Sequence, residues 1–177
     1  CIRDRHITVV SGVTLTIEPG GTVKFDSGKV LDINGTLVAR GTSTSKITFT
    51  SSAAFPAQGD WGYIRFTDSS TDATFDGNGD YLSGSIMEHA IVEYGGGVGG
   101  DYHGPNATGK VWADSASPFI NTCTIRHSQL NGVRINPATA FKFTNNTHDS
   151  NKRSGFVATS SYANSMNVST SAGDTIT

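Results

Sequence analysis

The stretch Ser117–Ile135, SPFINTCTIRHSQLNGVRI, constrains this chain more than any other part of it. Two short apolar strands, around Phe119–Ile125 and Gly132–Ile135, flank a polar turn, and Phe141–Val157 repeats the plan. Ile120 maps onto Phe143, Cys123 onto Asn146 and Gly132 onto Gly155, each 23 residues on. Backwards, Ile86, His89 and Ile91 map onto Ile120, Cys123 and Ile125 with a spacing of 34, as if a segment were inserted between them. Units of this period bury a core only by stacking on their neighbours. The expectation is an all-β solenoid, a parallel β-helix that forms a single domain over residues 1–177 and belongs to a longer chain.

Earlier segments follow the same logic. Val13, Leu15 and Ile17 alternate with threonines, Pro19-Gly20-Gly21 makes a turn, and Val23 and Phe25 follow. Period-two alternation places Thr14, Thr16, Thr48 and Thr50 on the outside and the apolar residues between them inside. Trp61–Phe66 and Ile86–Tyr94 read as further strands. Two polar stretches interrupt them as loop excursions, Thr67–Ser85 and the Gly-rich Gly95–Gly109. Loops of that length in a compact coil are functional or act as a cover. If both leave from one side, they make the most distinctive surface of the molecule.

Composition removes some classes of function. Charged residues are 16% of the 177, with a net charge of −2, so no basic face is on offer for nucleic acid. No apolar run reaches the ~20 residues of a membrane-spanning segment. Cys1 and Cys123 fall about four coils apart, roughly 20 Å at strand spacing, too far for a disulfide. Cys1 is read either as the lipid-bearing first residue of a bacterial lipoprotein or as a boundary in a longer chain.

SGVTLTIEPGGTVKF, INGTLVARGTSTSKITFTS, WGYIRFTDSS, SIMEHAIVEYGGG and SPFINTCTIRHS together resemble secreted bacterial and archaeal right-handed parallel β-helix repeat proteins, a broad branch of the pectate-lyase-like superfamily. The resemblance runs from Ile7 to Val157. It implies a right-handed helix of about six coils, hence a rod roughly 30 Å long. It also implies an extracellular or cell-surface setting. That branch holds surface proteins, carbohydrate binders and some enzymes.

Four residues form the candidate metal site. Asp76, Asn78 and Asp80 carry oxygens at alternate positions of a glycine-rich loop that can wrap Ca²⁺, and Asp72 can add a ligand. Tyr81 stands where the EF-hand pattern needs glycine, so the competing reading is an Asp/Asn/Gly turn without metal. Trp61, Tyr81, Tyr102 and His103 are the candidate ligand surface, although core packing is the favoured reading of Trp61. A lyase would add Arg65, Arg126 or Arg134 as base, which requires a depressed guanidinium pKa. Hydrolases of the polygalacturonase type need paired aspartates, and none occur here; Arg134-Ile135-Asn136 and Tyr102-His103-Gly104 match their accessory motifs only in part.

Under the 34-residue spacing His89 shares a column with Cys123 and Asn146, and Glu93 shares one with His127 and Ser150. Thr-x-Thr at Thr14–Thr16, Thr48–Thr50 and Thr122–Thr124 suggests an ice-binding array, but the comparable strands Arg65-Phe66-Thr67 and Ala90-Ile91-Val92 break it. Asn34, Asn106, Asn145 and Asn167 head N-glycosylation patterns. Three functions follow. They are a non-catalytic structural, adhesive or glycan-binding module, a calcium-dependent polysaccharide lyase or glycoside hydrolase, and a unit that stacks end to end into a filament.

Overall fold

The computed structural model describes residues 6–98, 109–136 and 141–158. Cys1, Tyr102, His103, Asn106 and Asn167 lie outside the described residues. All regular structure within them is β. The strands are β1 (Ile7–Val9), β2 (Thr14–Ile17), β3 (Thr22–Phe25), β4 (Leu31–Ile33), β5 (Thr36–Arg40), β6 (Ile47–Ser51), β7 (Ile64–Phe66), β8 (Thr74–Phe75) and β9 (Tyr81–Ser83). They continue with β10 (Ile86–Glu88), β11 (Ala90–Glu93), β12 (Gly109–Asp114), β13 (Phe119–Asn121), β14 (Thr124–Arg126), β15 (Asn131–Asn136), β16 (Phe143–Thr144), β17 (Thr147–Asp149) and β18 (Phe156–Ala158).

The first sheet is β1-β4-β7-β12-β15-β18, the second β2-β5-β10-β13-β16 and the third β3-β6-β11-β14-β17. Every neighbouring pair in these three sheets is parallel, and the chain visits the sheets in the same cyclic order on each circuit. Stacked parallel strands in three sheets are consistent with a parallel β-solenoid. The hairpin β8–β9 stands apart as an antiparallel pair.

Alternation along each strand sends one residue set into a common core. Ala39, Met87, Ile120 and Phe143 line it from the second sheet, and Phe49, Val92 and Ile125 from the third. Ile33, Phe66, Ala113 and Ile135 line it from the first. The expected strand Phe119–Ile125 is two strands, broken at Thr122, which has a φ of 53°. His89 and Asn145 are left-handed at the same turn of other circuits, with φ of 48° and 56°. Such a residue swings the chain from the second sheet into the third, but it interrupts the ladder of backbone bonds. Asn146 repairs the interruption, its Oδ1 accepting from Cys123 N at 2.8 Å and its Nδ2 donating to Ile120 O at 3.0 Å. Asn151 does the same at the next corner, with Ser128 N at 2.9 Å and Ile125 O at 3.1 Å.

The 23-residue offset holds, since Ile120 pairs with Phe143 and Thr124 with Thr147. The 34-residue offset does not: Met87 pairs with Ile120 and Val92 with Ile125, an offset of 33. His89 therefore aligns with Thr122 and Asn145, not with Cys123 and Asn146, and Glu93 aligns with Arg126 and Asp149. A single-residue slip exchanges inside for outside, so each column built on 34 changes face. The source of the error is physical. Isoleucine occupies both inward and outward positions here, because Ile86 faces out yet is fully buried under the hairpin.

Candidate functional site

The predicted calcium loop is the turn of the hairpin β8–β9. Asp76 donates its backbone N–H to Asp80 O at 2.9 Å; its Oδ1 accepts from Asn78 N at 2.9 Å and from Asp80 N at 2.8 Å. These backbone bonds, Asp80's first, hold the Asp76 carboxyl below its ordinary pKa. Lys142 Nζ donates to Gly79 O at 2.7 Å and sits 3.9 Å from the Phe75 ring, so a cationic side chain already caps the turn. Asp72 is spent elsewhere, accepting from Ser117 N at 2.7 Å. No group of three or more His, Cys, Asp or Glu that could hold a metal occurs among the described residues. Asp72 and Asp76 thus each commit one carboxylate oxygen to backbone N–H groups.

The hairpin instead covers the second sheet. That sheet turns an apolar column outward, Val38, Ile86 and Phe119 in register. Phe75 meets Phe119 edge-on at 5.3 Å and Tyr81 stacks over it at 6.3 Å. Tyr81 also donates its hydroxyl to Gly84 O at 2.7 Å and lies under the Arg40 guanidinium at 5.4 Å. Burial raises the Tyr81 pKa. Beside the hairpin run Arg40, Glu88, Asn121 and Thr144, linked by an ion pair at 3.0 Å and hydrogen bonds at 2.9 and 2.8 Å.

Trp61, the other described member of the candidate ligand surface, is 0% exposed. It stacks on Phe25 at 4.1 Å and donates Nε1 to Glu93 O at 2.9 Å, so it is a core residue and offers no platform to a sugar. Tyr63 and Trp112, on the first sheet, are each 3% exposed. There Arg65 bridges Asp32 at 2.8 Å and lies over Trp112 at 5.3 Å, with Arg134 over the same ring at 5.6 Å. Burial works against the Arg65 charge, but the bond and charge of Asp32 outweigh it and raise the pKa, the opposite of what a general base needs. Arg126 is held by Glu93 at 2.8 Å.

The two excursions leave from different corners. The first connects the first sheet to the second, β7 to β10; the second connects the third sheet back to the first, β11 to β12.

Among the described residues no further strand packs on the exterior of the third sheet. Thr22, Thr48, Ile91, Thr124 and Thr147 stand in register as one outward column. Beside it run Lys24, Thr50, Glu93, Arg126 and Asp149, in which Glu93 accepts from Thr50 Oγ1 at 3.0 Å and from Arg126 Nε at 2.9 Å. Tyr94 and His127 stack at 5.2 Å along the edge of this face. This column is not the expected Thr-x-Thr array, because Thr14 and Thr16 belong to the second sheet and Ile91 interrupts the threonines of the third.

Other reactive groups are inside. Lys110 is 0% exposed and donates Nζ to Arg126 O, and burial drives its pKa well down. Burial pushes the Cys123 thiol up to about 12, so this free cysteine is inert packing. No described helix is long and apolar enough to cross a membrane. Comparison with protein-family models, curated proteins and solved structures finds no significant match to this chain.

Proposed function

We propose that the chain is a non-catalytic extracellular module, a right-handed parallel β-helix of about six coils, serving a larger surface protein as a structural, adhesive or carbohydrate-binding element. One observation carries this reading. Carboxylates in and around the candidate site are engaged by the fold itself: Asp72 by Ser117 N, Asp76 by its own turn, and Asp32, Glu88 and Glu93 by Arg65, Arg40 and Arg126. A catalytic carboxylate must instead be poised to exchange a proton or attack substrate. The test is incubation with neutral and acidic polysaccharides in millimolar calcium, following retention of the protein and release of new sugar ends. Retention without product is expected. Turnover that Asp76→Ala abolishes would establish the competing reading, a calcium-dependent lyase or hydrolase.

A further inference from the structure

We infer that the outer face of the third sheet binds a neutral, extended polysaccharide whose chain runs along the stacking axis over the threonine ladder. The inference rests on the glycan-binding form of the function proposed above and names its site and ligand class.

Four of the five ladder positions are threonine, at Thr22, Thr48, Thr124 and Thr147, and the fifth is the equally β-branched Ile91. Thr22 and Thr147 are exposed, and Thr48, Ile91 and Thr124 half-buried. Some threonines elsewhere spend their hydroxyls on neighbours, as Thr36 does on Thr71, Thr50 on Glu93, Thr67 on Asn34 and Thr144 on Asn121. Among the described residues the four ladder hydroxyls have no such side-chain partner. The ladder is therefore a row of free donor–acceptor groups alternating with methyls. Its repeat is the strand spacing of about 4.8 Å, close to the rise of an extended, equatorially linked pyranose chain. Each sugar ring offers hydroxyls to match the hydroxyls and C–H faces to match the methyls.

The charges of the adjacent column decide the ligand class. Lys24, Glu93, Arg126 and Asp149 alternate in sign and cancel, and Arg126 is already neutralised by Glu93 at 2.8 Å. An anionic polymer gains no net attraction there, whereas a neutral one suffers no repulsion. A charged column beside the ladder also suits a hydrated sugar chain better than the plane of an ice crystal. Adding threonines from any other face would not extend the row, because the second sheet carries Val38, Ile86 and Phe119 under the hairpin.

The test uses the whole chain and three variants, Thr48→Ala with Thr124→Ala, Thr124→Ser, and Thr16→Ala on the second sheet as control. Binding of β-1,4-linked glucose and mannose hexasaccharides and of a uronate hexasaccharide is measured by calorimetry, with melting temperature as the check on folding. The expected result is binding of a neutral hexasaccharide, weakened about tenfold by the double alanine variant, retained by Thr124→Ser and by Thr16→Ala. Equal binding by wild type and the double variant would overturn the ladder as the site while leaving a glycan-binding module intact. Preference for the uronate, or ice-growth inhibition abolished by the double variant with no sugar binding, would overturn the ligand class. Binding of no hexasaccharide at all would remove both this inference and the glycan-binding form of the reading beneath it.

Discussion

The exteriors of the second and third sheets obey the same alternation yet end in opposite states. In the second, the outward column Val38, Ile86 and Phe119 is apolar and carries a hairpin on top. In the third, the corresponding column is threonine with one isoleucine and carries nothing among the described residues. A parallel strand buried on both faces reads as continuously apolar, and one facing water alternates. The contrast assigns the Thr67–Ser85 excursion a physical role: it supplies the second layer that an apolar exterior requires. The exterior left without a covering hairpin is then the polar one.

The largest effect should come from the covered face. Phe119→Ser removes the ring against which Phe75 and Tyr81 pack. A loss of about 3 kcal/mol is expected in chemical denaturation, together with new protease cleavage within residues 67–85. An unchanged denaturation midpoint would mean that the hairpin is not a structural cover.

The third sheet should be vulnerable from within. His148 lies inward on β17, 4% exposed, stacked 5.5 Å from Phe143. Burial lowers its pKa to about 4 from an ordinary 6.5. A base whose folded pKa is depressed binds fewer protons folded than unfolded between those values, so stability falls as pH drops from 6.5 toward 4. The fall attributable to His148 is up to about 3 kcal/mol. Denaturation at pH 7 and pH 4.5 of wild type and His148→Phe measures it, and the variant should show the smaller pH dependence.

Lys142→Met tests the latch on the hairpin turn. It removes the ammonium over Phe75 and the bond to Gly79 O, with an expected cost of about 1 kcal/mol. Millimolar calcium should leave the melting temperature of the wild type unchanged. A calcium-dependent rise lost in Asp76→Ala would show that the turn opens to take an ion. The smallest effect belongs to the open face. Thr124→Ser, at the same circuit as Phe119, should change stability by less than about 0.5 kcal/mol, since its hydroxyl is retained and its methyl faces out. A large loss there would mean that the third sheet is covered too.

Much of the fold was legible. Ile120 and Phe143, Cys123 and Asn146, and Gly132 and Gly155 carry the 23-residue repeat in plain residue types, because inward positions demand apolar or clamping side chains. The Asn/Asp/Gly turn reading of Asp76–Asp80 was also available, since those residues close turns with their own side chains. The ion pairs of Asp32 with Arg65 and of Glu93 with Arg126 were not. They join residues 33 apart, and only the correct register shows that they are neighbours.

By itself the sequence determined a repeating all-β chain whose units must stack, because alternation and period are properties of the local pattern. The tertiary structure decided the register between circuits across the two long insertions, and with it every functional column. It buried Trp61, turned the Asp-rich loop into a clamp over Phe119, and aligned four threonines that lie far apart in the chain. The reason is that a strand's faces differ by one residue, whereas an insertion hides its own length. Only the backbone bonds between circuits record where counting resumes.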